Sequence, residues 1–391
     1  MRTRLHELIE QGQSPWIDYI TRDIIKSGEL QSLIDKGIRG LTSNPTIFEK
    51  AISSSKEYDE AFRDLVQKGA SQSEIYEGLI VEDIRMAADV LRPVYDETGG
   101  LDGYVSIEVN PKLAYDTEGT IAEARKFFQT IDRPNIFIKV PATDQGIPAI
   151  RQLISEGINV NITLIFSIDY YERVMDAYLE GLEQRVSEGK PIDKIASVAS
   201  FFVSRVDTEV DKRLQKLIES EQDSQKKSEL ESLLGKAAIA NARIAYQHFL
   251  KKFQGERWES LKAKGARVQR PLWASTSTKN PAYRDVMYVE ELIGPDTVNT
   301  MPPQTIEAFL DHGKVARTID KDLDQAYAVI EKLESLGISM KEVTDKLQAD
   351  GVKLFADSFD SLDKVINEKR ETLMAELKDR QFADLGSYEG K

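Results

Sequence analysis

Short apolar runs alternate with longer stretches of helical period along most of this chain. Eight strand-like runs stand near Trp16–Ile20, Ile38–Thr42, Tyr104–Val109, Ile136–Val140, Val160–Ile165, Ile195–Val203, Pro271–Ser275 and Thr297–Thr300. Between them, apolar positions recur every three or four residues. The helical stretches are Gly28–Asp35, Thr46–Gln67 with Ser73–Tyr95, Ile121–Thr130, Ile147–Ser155, Asp169–Ser187, a long region Asp207–Ala263, and Lys279–Ile293. Strands alternating with helices imply a parallel sheet with crossover helices. Eight such units predict an α/β fold, a closed (β/α)8 TIM barrel. An open doubly wound sheet is the alternative, but no Gly-x-Gly-x-x-Gly follows any strand.

Two regions exceed a minimal barrel. Asp207–Ala263 is long enough for extra helices between strands 6 and 7, and its charged middle, Glu219–Lys227, reads as a solvated turn or helix face. Residues 315–391 keep helical period through Leu323, Ile330, Leu333, Val352, Phe355, Phe359 and Val365. They read as the last barrel helix plus a C-terminal helical extension. No Pro/Gly/Ser linker sets them apart, so residues 1–391 read as one domain. The tail from Ala383 is small and polar and reads as frayed.

Within the strands the polar residues fall on one parity. Successive side chains of a strand face opposite sides. Val105, Ile107 and Val109 share one face, and Ser106 and Glu108 the other. Ile138 and Val140 oppose Lys139; Val160, Ile162 and Leu164 oppose Asn161 and Thr163; Ile17 and Tyr19 oppose Asp18. In a barrel the apolar parity packs on the helices and the polar parity faces the lumen. Lumens are ordinarily filled by branched apolar residues. A lumen holding Asp18, Glu108, Lys139, Asn161 and Thr163 is costly, at roughly 1–3 kcal/mol for each group left unpaired. One plain alternative is a satisfied polar network; another is an antiparallel sheet with a wet face, which fits poorly with interleaved helices.

Lys139 is the most informative of these. Loss of hydration lowers an amine's pKa, and a neutral amine attacks carbonyls to form Schiff bases. Such an amine is expected to be largely neutral and to meet Glu108 through water more than as a tight ion pair. The bland alternative is a lysine that ends its strand and snorkels to water.

Composition narrows the chemistry. The 391 residues carry a net charge of −14 and no cysteine. The charge argues against nonspecific nucleic-acid binding, and an anionic substrate would need basic residues concentrated at its site. The missing cysteines exclude disulfides, thiolate metal sites and a cysteine nucleophile. His6, His248 and His312 are far apart in sequence and show no metal-ligand spacing. Asp320, Asp322, Asp324 and Glu331 have calcium-loop spacing, but Gln325 stands where the turn wants glycine. An acidic helix start is the better reading there. No apolar run approaches the ~18 residues of a membrane span. The N-terminus Met1-Arg2-Thr3-Arg4-Leu5-His6-Glu7 lacks a signal-peptide core. The chain therefore reads as soluble and cytoplasmic, with no membrane partner.

Several segments also carry a family resemblance. Leu41-Thr42-Ser43-Asn44-Pro45-Thr46-Ile47-Phe48 resembles the first transaldolase signature. Ile136-Phe137-Ile138-Lys139-Val140-Pro141-Ala142-Thr143, followed by Gly146-Ile147, resembles the second, which holds the Schiff-base lysine. Ile107-Glu108-Val109 with Tyr115-Asp116-Thr117, and Gly157 through Ser167, continue the match in order. It runs from about Pro15 to about Gly313. Gln269 through Lys279 and Thr297 through Pro302 are similar to the long bacterial form.

The resemblance implies a class I aldolase-type barrel that needs neither metal nor organic cofactor. It implies transfer of a dihydroxyacetone unit from sedoheptulose 7-phosphate or fructose 6-phosphate to glyceraldehyde 3-phosphate or erythrose 4-phosphate, in the pentose phosphate pathway. Lys139 would be the nucleophile and Asp18 the acid/base at the C4 hydroxyl; Glu108 and Thr163 would hold the water of imine formation. Asn44 and Asn161 would bind donor hydroxyls, although Asn44 before Pro45 is also an ordinary helix cap. Ser200 and Phe202 would line the site, and Arg205 and Ser275 would bind phosphate. The shorter enzymes place a second arginine just after that serine. Here Ser277 or Lys279 occupies the neighbourhood, and Lys279 is the substitute. A fructose 6-phosphate aldolase releasing free dihydroxyacetone is the alternative, against which Phe202 stands, since those enzymes tend to carry tyrosine there. A noncatalytic sugar-phosphate-binding barrel would lack Lys139, Asp18 or Glu108. Monomer and homodimer both stay open.

Overall fold

In the computed structural model, residues 1–386 are described, with side chains to 378. The frayed tail expected from Ala383 lies beyond those side chains and, past 386, outside the described residues. Eight strands close into a parallel barrel in chain order. They are β1 (Gln13–Asp18), β2 (Gly40–Thr42), β3 (Tyr104–Glu108), β4 (Ile136–Pro141), β5 (Val160–Ile165), β6 (Ser197–Phe202), β7 (Arg270–Ala274) and β8 (Thr297–Met301). Helix α1 (Arg4–Glu10) precedes β1, and α2 (Arg22–Lys26) and α3 (Glu29–Asp35) follow it. After β2 come α4 (Pro45–Ser54), α5 (Asp59–Gln67) and α6 (Gln72–Glu97). Single crossovers α7 (Thr117–Ile131), α8 (Gly146–Ser155) and α9 (Ile168–Ser187) serve β3 to β6. Four helices join β6 to β7: α10 (Ser204–Ser220), α11 (Ser224–Glu231), α12 (Ala237–Lys252) and α13 (Glu256–Lys262). Then come α14 (Met287–Glu290) before β8, and α15 (Pro303–His312), α16 (Leu323–Ser335) and α17 (Met340–Gly386) after it.

The predicted (β/α)8 barrel is the observed fold, and the extra helices between the sixth and seventh strands are present. Four details differ. β1 begins at Gln13, because pairing with β8 extends back to Gln13 opposite Thr297. The β6 segment is trimmed to Ser197–Phe202. The helix expected over Lys279–Ile293 is only α14; the rest is loop, drawn out of helical register by side-chain tethers described below. The helix directly after β8 is α15, ahead of residue 315. Residues beyond 315 are thus extension, with α16 packed against α12 and α17 running over α4, α6 and α10. The calcium-like segment is a helix start: Arg317 donates to Asp320 and α16 begins at Leu323.

The lumen is built in layers. At its closed end Arg270 pairs with Asp102 at 3.1 Å, and Trp16 Nε1 donates to Asp102 Oδ1 at 3.0 Å. Above lies an aromatic floor. Phe137 stacks on Tyr104 with centroids 4.2 Å apart and on Trp16 at 6.1 Å. Gly40 is needed there: a Cβ would come 2.4 Å from the Trp16 indole. Pairing places Ser106 beside Phe137 and Glu108 beside Lys139. The aromatic floor thus separates a charged closed end from the polar residues toward the open end of the barrel, where barrel sites sit.

Candidate active site

A cavity of ≈ 190 Å³ opens at the C-terminal ends of the strands. Of the residues singled out from sequence, Asp18, Asn44, Lys139, Thr163, Ser200, Phe202, Arg205, Ser275 and Lys279 line it. Lys139 is buried on β4 and donates from Nζ to the Ser43 carbonyl at 2.9 Å. Its Nζ stands 3.7 Å from Glu108 Oε2. That separation is too long for a tight, directly hydrogen-bonded pair.

Glu108 Oε2 and Thr163 Oγ1 are buried with no hydrogen-bond partner in the protein. Burial pushes the Glu108 carboxyl up to about 7, against the opposing charge of Lys139. A carboxyl titrating there takes and gives protons near neutrality. Burial also raises the Asp18 carboxyl, and again Lys139 opposes. Thr42 Oγ1 donates to Asp18 Oδ1 at 2.8 Å, which fixes the acid's orientation. Thr42 is itself 2.6 Å from the Thr300 hydroxyl.

Asn44 reconciles its two readings. Its Oδ1 caps α4 by accepting from Ile47 N at 2.9 Å, and Pro45 opens the helix. Its amide NH2 is left for the cavity that it lines. Asn161 departs from expectation. It does not line the cavity but lies fully buried beneath it. Its Nδ2 donates to Ser106 Oγ at 3.1 Å and its Oδ1 accepts from Ser200 Oγ at 2.6 Å. The cross-strand partners Ser106 and Ser200 hold the amide at the level of Lys139, its pairing partner on β4.

The rim is cationic. Arg205 sits in the first turn of α10, with its guanidinium 5.1 Å over the Phe202 ring and 6.0 Å from Phe355. Burial lowers its pKa, with Asp18 and Glu108 pulling the other way. Lys279 Nζ donates to Ser277 Oγ at 2.7 Å. Burial lowers its pKa as well, and the charge on Arg205 adds to the effect. Among the described residues neither cation is in a salt bridge, whereas Lys112, Arg213 and Arg284 each are.

Two cavity segments are bent by non-glycine residues with positive φ, Leu164 at 59° and Ser275 at 55°. The pairing of β5 with β6 slips between Ile162 and Ile165. Such strain, about 1–3 kcal/mol per residue, clusters at sites where it re-aims side chains. Here it turns the ends of β5 and β7, which bear Thr163 and Ser275.

Sequence reasoning missed Ser43, Thr42, Thr300, Gln304 and Phe355. Thr42 and Ser43 stood inside a recognised motif, and Thr42 shares the inward parity of β2. Phe355, on α17, had no local signal. Among the described residues no group of His, Asp or Glu has metal-binding geometry, and no helix is long and apolar enough to cross a membrane.

A family model described as Transaldolase/Fructose-6-phosphate aldolase matches residues 15–366. Transaldolase of Trichodesmium erythraeum (strain IMS101) is 50% identical over 368 residues, covering 93% of this chain and 97% of that protein. Transaldolase 2 of Nostoc sp. (strain PCC 7120) is 51% identical over 362 residues, or 92% and 95%. Transaldolase of Acidothermus cellulolyticus is 50% identical over 373 residues, or 95% and 98%.

Proposed function

We propose that this chain, which belongs to the transaldolase/fructose-6-phosphate aldolase family, is a transaldolase working through a Schiff base on Lys139. It takes a dihydroxyacetone unit from sedoheptulose 7-phosphate or fructose 6-phosphate and passes it to glyceraldehyde 3-phosphate or erythrose 4-phosphate. The observation that carries the reading is a buried amine 3.7 Å from a carboxyl that titrates near neutrality. The amine lines one cavity with Asp18 and with the rim cations, and Glu108 stands buried behind it.

Lys139 Nζ attacks the donor C2 carbonyl. Glu108, with Thr163 orienting a water, moves the protons that expel hydroxide as water and leave the protonated imine. That imine accepts the electron pair released when C3–C4 breaks. Asp18 takes the C4 hydroxyl proton in that step, and the aldose product leaves. The enamine then attacks the acceptor aldehyde, and Asp18 returns its proton to the new hydroxyl. Water re-enters beside Glu108 and hydrolyses the imine. Asn44 and Ser200 hold hydroxyls of the dihydroxyacetone unit, with Asn161 setting Ser200 from below. Arg205, Lys279 and Ser275 hold the phosphate; a guanidinium supplies paired donors to its oxygens.

Phe202 favours transfer over release of free dihydroxyacetone. Charged sugar phosphates do not cross bilayers, which supports a reaction in the cytoplasm, as part of the pentose phosphate pathway. Borohydride reduction in the presence of fructose 6-phosphate should leave a three-carbon adduct on Lys139, read by peptide mass spectrometry. An adduct elsewhere, or none, overturns the mechanism. Product formation that depends on erythrose 4-phosphate separates transfer from simple aldol cleavage.

A further inference from the structure

The loop after β7 carries Ser275, Ser277 and Lys279, yet its regular structure is confined to α14. Something must hold Lys279 opposite Arg205. Within the loop Asn280 makes a tight turn: its carbonyl accepts from Tyr283 N at 3.0 Å and its Oδ1 from Ala282 N at 2.9 Å. On the outer side Arg284 grips Glu290, and Asp285 meets His312 Nε2 at 2.8 Å. These contacts are exposed and hold the loop to the end of α15.

The inner side is different. Tyr283 donates to Asp211 Oδ2 at 2.5 Å, and Tyr288 to Asp207 Oδ2 at 2.6 Å. Asp207 and Asp211 stand one turn apart on α10, the helix whose first turn holds Arg205. The second oxygen of each carboxylate accepts a backbone N–H at the start of α12, Ala238 at 2.8 Å and Gly235 at 3.0 Å. Gly235 has φ +71° and lies so close that a Cβ would meet Tyr283 Cζ at 2.8 Å. Helix α10 thus fixes one rim cation through its own backbone and holds the loop of the other through two tyrosines. Tyr283 is four residues from Lys279, at the far end of the Asn280 turn. The Tyr288–Asp207 pair is buried and anchors the loop's far end.

We propose that Asp211 and Tyr283 are positioning residues that set Lys279 opposite Arg205 and so govern recognition of the substrate phosphate. The inference rests on the reading of Arg205 and Lys279 as the phosphate cations. It is tested in the full chain by borohydride trapping of Lys139, measured as half-saturating donor concentration and limiting rate. Fructose 6-phosphate and unphosphorylated fructose are compared.

Tyr283→Phe should raise the half-saturating fructose 6-phosphate concentration three- to tenfold, with a limiting rate within twofold of the parent. Its value for fructose should move less than twofold. Asp211→Asn should stay within twofold of the parent on both donors, since the new amide oxygen accepts from Gly235 N and its NH2 donates to the Tyr283 oxygen, whereas Asp211→Ala should match Tyr283→Phe. In a Lys279→Met background, Tyr283→Phe should add less than twofold. Equal losses on both donors, or full additivity with Lys279→Met, overturn the inference and mark Tyr283 as a general stabiliser. Lys279→Met that leaves the fructose 6-phosphate value unchanged overturns the underlying assignment of Lys279, and the inference with it.

Discussion

Lys139 and Glu108 face each other because strand pairing puts them side by side, not because either is paired for stability. Burial pushes the Glu108 carboxyl up to about 7, well above an ordinary carboxylate. The pH–rate profile of transfer should show an ionisation near 7, and Glu108→Gln should remove it while lowering kcat by 10²–10⁴-fold. A profile unchanged by the substitution would assign the proton transfers elsewhere. The same shift carries a stability sign. The folded state binds this proton more tightly than the unfolded one, where the carboxyl has its ordinary value of 4.5. The contribution is full below that value and is lost as pH rises through about 7. Glu108→Gln should therefore gain in unfolding free energy relative to the parent between pH 5 and 8, by an amount on the order of 1–3 kcal/mol, measured by denaturant titration. Parity alone made Asp18, Glu108, Lys139 and Thr163 legible in the sequence. The Ser43 carbonyl on Lys139 and the commitment of Asn161 to Ser106 and Ser200 were not. Both depend on how far neighbouring strands are staggered, and no local pattern encodes that stagger.

Helix α17 shows the same limit one level up. Its period was readable, but its destination was not. Gln348 Nε2 donates to the Ala142 carbonyl at 2.8 Å and Ser358 meets Thr46 at 2.7 Å, which ties the helix across β4 and α4. That course brings Phe355 into the cavity over Arg205. A cation–π contact of this kind contributes about 0.5–1 kcal/mol. Phe355→Ala should therefore raise KM for fructose 6-phosphate roughly two- to fivefold, beside a stability loss of about 3 kcal/mol from the emptied volume. An unchanged KM would make Phe355 packing alone. Gly351 lets the helix approach: a Cβ there would sit 2.7 Å from Leu164 Cδ2. Gly→Ala inside a helix gains about 0.5–1 kcal/mol, but overpacking a filled contact costs about 1–3. Gly351→Ala should lower the thermal midpoint, and a rise would show that Leu164 swings aside freely. The loop after β7 was misread as a helix for a related reason. Its apolar spacing is helical, yet Tyr283 and Tyr288 are drawn to Asp211 and Asp207 on another helix, and those bonds outweigh local propensity.

Across the whole molecule, a net charge of −14 faces anionic substrates. The site answers locally: Arg205 and Lys279 carry no salt bridge among the described residues, and Lys50 stands near enough for its charge to depress the Lys279 pKa. The two fields differ in range. The overall negative charge acts over tens of ångströms and is felt when the Debye length is ~30 Å at 0.01 M salt; at 0.15 M that length is ~8 Å. The rim cations act on a phosphate in contact, well inside either length, in a partly buried cavity that salt screens little. Raising NaCl from 10 to 150 mM should then remove more repulsion than attraction. The expected result is a rise in kcat/KM for fructose 6-phosphate of up to roughly threefold, with a flat response for unphosphorylated fructose. A steep fall with salt would mean that the cationic field of the cavity mouth extends beyond the rim and steers substrate inward against the charge of the rest of the protein.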